Sequence, residues 1–313
     1  MKRSILVTGG AGFVGSALAA KLAQDPTNFI VIVDNLFTGS VSKIPVSVNE
    51  NIKFIKADVN DFRDISSIFN TYHFDYVFHY AALVGVKRTL ENPVMVLNDI
   101  TGIKNILNLC KNTGVQRLFF SSSSEVYGEP VEFPQNEQTT PLNSRLPYAI
   151  VKNVGEAYIR AYKQEYNLDY TIFRFFNTYG PAQSKDFVMS KFINAALTNN
   201  DITIYGDGSQ TRTFCFIDDN IDACNTAFQT NQMINEVVNI GTDSEISILN
   251  LALKIIEITN SNSKVVHLPA LKEGDMTRRC PDISKMKRLL NRPLTELEQG
   301  VKYLVESRLP VAH

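Results

Sequence analysis

Short apolar runs rich in Val, Ile and Phe recur along the chain, at residues 5–7, 29–33, 53–55, 76–80, 117–120 and 170–173. Runs of this length, without strict alternation, predict strands buried on both faces of a sheet. Stretches with helical spacing of apolar positions lie between them, at residues 12–24, 61–71, 94–112 and 148–166. The alternation predicts right-handed β-α-β units, and therefore an α/β fold built on a doubly wound parallel sheet.

The turn after the first run refines this picture. Residues 8–15 read TGGAGFVG, which fits G-x-G-x-x-G. Glycines there permit a tight turn, a close backbone approach to a pyrophosphate and close helix–sheet packing at a helix N-terminus. Asp34 ends the second run, near the offset expected for an acid that binds a ribose. Together they predict the dinucleotide-binding (Rossmann) version of the sheet. Asp34 can accept from both ribose hydroxyls and would repel a 2′-phosphate, while Asn35 and Leu36 bring no positive charge, so NAD is expected rather than NADP.

Past Asn177 the rhythm changes to a Tyr-Gly-Pro turn, a helix near residues 187–198, the turn 205–208 and a strand-like stretch at 211–217. Residues 237–241 again resemble a buried strand. The expected organisation is an NAD-binding domain over 1–175, to which the chain returns around 213–245. Residues 176–212 and 246–313 then form a smaller C-terminal substrate lobe.

Composition narrows the partners. The chain has 313 residues, 31 Lys plus Arg against 32 Asp plus Glu, a net charge of -1 and 44% hydrophobic residues. No basic footprint points to nucleic acid, and the chain is not of disordered type. No apolar stretch reaches membrane-spanning length. The apolar run behind Met1-Lys2-Arg3 is too short for a signal-peptide core. Cys110, Cys215, Cys224 and Cys280 are scattered, and His73, His79, His267 and His313 share no ligand spacing with them. No metal site is expected, and the cysteines read as buried thiols in a reducing compartment, which makes the cytoplasm the expected location.

Tyr148 and Lys152 stand four apart, hence on one helix face. A nearby ammonium favours phenolate, so Tyr148 is a candidate base for a hydroxyl proton, with Lys152 lowering its pKa. Residues 121–128, SSSSEVYG, end a predicted strand at the carboxyl edge of the sheet, where open α/β folds bind ligands. A serine there can hydrogen-bond the reacting oxygen, and Glu125 can exchange a proton with a neighbouring carbon.

With these motifs the sequence resembles the extended short-chain dehydrogenase/reductase family, specifically its NAD-dependent nucleotide-sugar epimerases, dehydratases and decarboxylases. The resemblance spans nearly the whole chain and rests on TGGAGFVG, Asp34, HYAA at 79–82, SSSSEVYG, YAIVK at 148–152, FFNTYGP at 175–181, IYGDGSQTR at 204–212 and TRRCPDISK at 277–285. It implies that Tyr148 is the redox base, that Lys152 holds the nicotinamide ribose, that Ser123 hydrogen-bonds the sugar hydroxyl and that Glu125 joins the catalytic set. Gly9, Gly12, Phe13, Val14, Gly15, Asp34, Asn35, Asp58, Val59, Ala81 and Ala82 would hold NAD. Ser124, Asn177, Tyr205, Arg212 and one or both of Arg278 and Arg279 would contact the nucleotide sugar, since arginine forks suit phosphate. The resemblance also implies a homodimer packed through the helices over 94–112 and 148–166, whose Val96, Ile100, Ile103, Leu107, Ile150, Val154 and Tyr158 exceed what one sheet face can bury.

The sequence departs from the family at Asp99, where an asparagine commonly stands three residues before Gly102; a carboxylate only accepts, so the hydrogen bond that asparagine makes is altered. The shared first step in the resembling enzymes is oxidation at carbon 4 of the sugar. Ser124 stands where dehydratases carry an aspartate, which disfavours dehydration. Glu125 and Arg279 match decarboxylase positions, whereas residues 83–89 resemble epimerases more and residues 182–192 lack the decarboxylase pattern. This places 4-epimerisation of a UDP-hexose type of sugar first, UDP-glucuronate decarboxylation second and 4-dehydrogenation with release of the keto sugar third. A non-catalytic dinucleotide sensor would have no use for Tyr148 and Lys152.

Overall fold

A computed structural model of the chain describes residues 2–270 and 278–308; Thr277 of the last motif and His313 lie outside them. The first half runs β1 (Arg3–Thr8), α1 (Phe13–Leu22), β2 (Asn28–Asp34), β3 (Ile52–Lys56), α2 (Phe62–Tyr72), β4 (Tyr76–His79), α3 (Val86–Glu91), α4 (Pro93–Leu97), α5 (Asp99–Thr113), β5 (Arg117–Ser123), α6 (Pro147–Tyr166) and β6 (Asp169–Phe175). The second half runs β7 (Thr178–Tyr179), α7 (Val188–Leu197), β8 (Ile202–Tyr205), β9 (Thr211–Thr213), β10 (Cys215–Phe216), α8 (Ile217–Gln229), β11 (Glu236–Ile240), β12 (Glu245–Ser247), α9 (Ile248–Thr259), β13 (Val265–Leu268), α10 (Ser284–Leu290) and α11 (Leu297–Glu306).

Seven parallel strands form the central sheet in the order β11-β6-β5-β4-β1-β2-β3. The order reverses between β1 and β4, which opens a crevice at the carboxyl ends of those strands. Each face buries its own core. Ile5, Ile30, Phe78, Phe119 and Phe173 pack under α1 and α8, and Leu6, Val31, Val77, Leu118 and Ile172 pack under α2, α5 and α6. Such burial is worth roughly 1.5–3 kcal/mol per large apolar side chain before the entropy of ordering is subtracted. β11 pairs with β6, so residues 236–240 do rejoin the sheet. The pairs β7–β10, β9–β12 and β8–β13 form three two-stranded sheets beyond it.

Three local differences from the sequence reading have physical causes. The single helix expected over 94–112 is two, α4 and α5, which meet at Asn98; there Thr101 N–H bonds to Asn98 O at 2.9 Å, an i→i+3 tightening of the turn. The strand expected over 211–217 ends at Phe216, because α8 begins at Ile217. Ile217, Ile221, Cys224 and Phe228 supply a buried helical stripe, and buried Asp219 in the first turn accepts from Thr295 N–H at 2.8 Å and pairs with Arg292 at 2.6 Å. Finally, Val96, Ile103 and Leu107, expected on an outer face, turn inward into the core; Val94, Met95 and Leu97 of α4 and Ile150 and Tyr166 of α6 are exposed. No helix among the described residues is long and apolar enough to cross a membrane.

Candidate active site

The glycine turn builds the first wall of the crevice. Gly9 has φ +69, and a Cβ there would lie 2.7 Å from Ala81 N, so a side chain would break the close approach of the β1 turn to the end of β4. A Cβ on Gly12 would lie 3.0 Å from Gly9 O. Gly12 caps α1 with no side-chain acceptor, and the first turn carries no acid, which leaves its N–H groups facing the cavity. Thr8 ties the two strand ends together: its hydroxyl accepts from Tyr80 N–H at 3.1 Å and Ala81 N–H at 3.2 Å, and meets His79 Nδ1 at 2.8 Å. Burial and the charge of Lys152 pull the His79 pKa down to about 3, so this histidine is a neutral core residue.

Asp34 is buried at the end of β2 and accepts from Ala11 N–H at 3.0 Å and Leu36 N–H at 2.8 Å. A Cβ on Gly39 would lie 2.7 Å from its carboxylate oxygen, so the loop passes directly over the acid. Asn35 donates to Asp58 at 3.1 Å and links the ends of β2 and β3.

The second wall comes from β5 and α6. Pro147 starts the helix at a position that needs no N–H donor. Tyr148, Lys152 and Glu156 then share one face at four-residue spacing. Gly155 lets that face approach the sheet, since a Cβ there would lie 2.7 Å from Phe120. Lys152 Nζ donates to Ser121 O at 2.6 Å, and Ser122 donates to Glu156 at 2.6 Å. Burial alone would raise the Glu156 pKa, but Arg174, which donates to it at 2.7 and 2.9 Å, outweighs this and holds it ionised with help from Ser122. The strand bearing the serines and the helix bearing Tyr148 are therefore locked in register by a buried charged network.

The electrostatics of the pair differ from the sequence expectation. Burial pushes the Tyr148 phenol well above its ordinary value; the Ser123 hydroxyl opposes this, and the charges of Glu125 and Asp99 add to it. Lys152 is not the group that sets the phenol here. Its Nζ is engaged by Ser121 O and lies 5.7 Å from the Tyr148 ring centre, and burial lowers its own pKa to about 8 against support from Asp99.

Beyond Ser123, whose hydroxyl accepts from Glu125 N–H at 3.2 Å, the chain turns through residues 124–127. Glu125 meets Arg279 at 2.8 Å, and Arg279 also reaches Ser124 at 3.4 Å. Asn177 has φ +33 and donates to Thr213 O at 2.9 Å, which fixes the bend from β6 to β7.

Between the two walls lies one cavity of about 620 Å³. Gly9, Gly12, Phe13, Val14, Gly15, Asp34, Asn35, Asp58, Val59, Ala81, Ala82, Tyr148 and Lys152 line it, as do Ser123, Ser124, Glu125, Asn177 and Arg279. Lys152 and Arg279 are the only cations among the described lining residues, and neither accompanies Asp34. Three expected substrate contacts are not among the described lining residues. Arg278 is taken up by Glu245 at 2.5 and 2.8 Å and stacks on Phe133, Arg212 is buried in the β9–β12 pair, and Tyr205 is half-exposed beside Lys191. Leu83–Gly85, Gln183 and Phe187–Met189 complete the wall; they fall in the segments 83–89 and 182–192, which resemblance marks but to which the sequence assigns no contact. Those residues sit in connecting loops and at the first turn of α7, where no periodicity marks them.

A glycine turn at a helix N-terminus, an acid at the second strand end and a buried Tyr-Lys face define a dinucleotide-dependent enzyme of the short-chain type. Residues 5–241 match the NAD dependent epimerase/dehydratase family, and the chain belongs to that family. It is 36% identical, over 98% of each chain, to the UDP-N-acetyl-alpha-D-glucosaminuronate decarboxylase of Bacillus cytotoxicus. It is 37% identical, over 96% of its own length and 97% of the other's, to a putative UDP-glucose 4-epimerase of Methanocaldococcus jannaschii. Among solved structures, the UDP-glucose 4-epimerase of Thermotoga maritima with UDP-glucose superposes with a TM-score of 0.90 at 34% identity, covering 97% of both chains. The protein is thus an NAD-dependent enzyme among the nucleotide-sugar epimerases and decarboxylases.

Proposed function

We propose that this enzyme oxidises carbon 4 of a UDP-hexuronate and then releases its carboxyl group as carbon dioxide. The observation that carries this reading is the Glu125–Arg279 pair, 2.8 Å apart, against Ser124 and inside the cavity that holds Tyr148. Taking such a pair out of water is costly. A neutral hexose gives nothing back for that cost, whereas a sugar carboxylate meets a guanidinium in bidentate fashion. The pair therefore moves decarboxylation ahead of the 4-epimerisation that the sequence reading put first.

NAD, when bound, takes up hydride from carbon 4 and can return it. The uncapped α1 turn, Asp34 and Lys152 are the residues that would hold it. Tyr148, as phenolate, accepts the proton of the carbon-4 hydroxyl, and Ser123 hydrogen-bonds the same oxygen. A ketone at carbon 4 makes the carboxylate on carbon 5 a β-keto acid. When the bond to the carboxyl carbon breaks, its electron pair passes into the carbonyl as an enolate and carbon dioxide leaves. Arg279 turns from Glu125 to the substrate carboxylate and orients it; Glu125, freed of its partner, takes a proton from solvent and hands it to carbon 5. Incubation with UDP-glucuronate and its N-acetylated counterpart, read by product mass, is expected to show loss of carbon dioxide; an unchanged mass with inverted carbon 4 would restore the epimerase reading.

The same reading includes a homodimer. Exposed Val94 and Leu97 on α4 and Ile150 on α6 are apolar side chains that a second copy could cover. Light scattering is expected to give twice the chain mass, and a monomer at micromolar concentration would remove this part of the proposal.

A further inference from the structure

The cavity wall contains a half-buried acid that the mechanism above does not use. Asp99 opens α5 immediately after the break at Asn98, and its Oδ2 accepts from Leu83 N–H at 2.7 Å. Leu83 belongs to the loop that leaves β4 and lines the cavity, so Asp99 pins that loop. From the segment after β3, Asn60 hydrogen-bonds the carboxyl and Asp58 repels it; from α6, Lys152 attracts it. Burial raises the acid's pKa, and Leu83 N–H, Lys152 and Asn60 oppose that rise. Asp99 lines the same cavity as both members of the pair on α6, where its charge supports the Lys152 ammonium and opposes the Tyr148 phenolate, alongside Glu125. His79, the remaining titratable group against Lys152, is neutral at working pH.

We propose that Asp99 is a positioning residue with two separable functions: its charge sets the pH range in which Tyr148 and Lys152 work, and its hydrogen bond to Leu83 holds the cavity wall. The asparagine that commonly stands at this position in the resembling enzymes could supply the second function and not the first. The proposal rests on the reading of Tyr148 as the base.

The test compares wild type, Asp99→Asn and Asp99→Ala as NAD-loaded holoenzymes. The asparagine keeps an acceptor for Leu83 N–H and removes only the charge; the alanine removes both. Loss of the charge relieves the phenolate of repulsion and deprives the ammonium of support, so both pKa values fall. Both limbs of kcat against pH are expected to move to lower pH by about one unit in Asp99→Asn. A tyrosine ring-carbon NMR titration, with the Tyr148 signal assigned through Tyr148→Phe, reads the same shift without turnover. A Tyr148 titration unmoved in folded Asp99→Asn overturns the proposal, even where activity falls. A loss of NAD affinity and activity in Asp99→Ala that the asparagine restores supports the second function, and equal losses in both variants overturn it. If Tyr148 shifts as expected while no UDP-hexuronate is turned over, the substrate reading fails and the role of Asp99 stands.

Discussion

The two walls of the cavity are built in different ways. The wall at the ends of β1 and β2 is made of backbone: glycines without side chains, the free N–H groups of α1, and one acid held by Ala11 and Leu36 N–H. The wall at the end of β5 is made of side chains, and its charged members come from distant parts of the chain. Arg279 stands 155 residues from the Ser124 it touches. A backbone site suits a cofactor shared by many enzymes, because little in it depends on the substrate. A side-chain site can be altered one residue at a time, and there the family's reactions diverge.

This contrast can be broken by substitution on either side. The largest effect is expected for Tyr148→Phe, which removes the proposed base and leaves the proposed NAD wall intact. Turnover should fall on the order of 10²–10⁴-fold with NAD affinity unchanged by calorimetry; retained turnover would move the base elsewhere. Next comes Arg279→Gln. With a hexuronate, kcat/KM should fall by about 100-fold, as expected when one partner of a buried charge pair is lost. Binding of a neutral UDP-hexose should change little, and equal losses for both sugars would make the pair structural. The smallest effect is expected for Asp34→Asn, which weakens a charge-assisted contact to the ribose. NAD affinity should fall by about tenfold while the preference over NADP narrows; an unchanged preference would mean that Asp34 serves only its own loop.

The same contrast explains what was legible in the sequence. The glycine turn and Asp34 are short-range features, so the residues of the backbone wall could be written down before the fold was known. Tyr148 and Lys152 were legible as a helix pair, but their electrostatics were not. Whether an ammonium lowers a phenol's pKa depends on where its Nζ is drawn, and here Ser121 O draws it. The partnership of Glu125 with Arg279 came only through resemblance, since no spacing rule links residues so far apart. Arg278 and Arg279 are adjacent and chemically alike, yet one pairs with Glu245 at the surface and the other enters the cavity; only the fold separates them. The helix α8 was legible and passed over, because the strand-like residues before Ile217 masked its 3.6-residue stripe. The break at Asn98 was not legible, since the apolar spacing continues through it.

In the proposed reaction Tyr148 opens carbon 4 to oxidation and the Glu125–Arg279 pair acts on a carboxylate beyond it. The most direct test is to incubate the NAD-loaded protein with UDP-glucuronate and with its N-acetylated counterpart, and to follow products by mass and proton NMR. The account expects loss of carbon dioxide and a pentose-type product. A product of unchanged mass with the carbon-4 coupling inverted would contradict it.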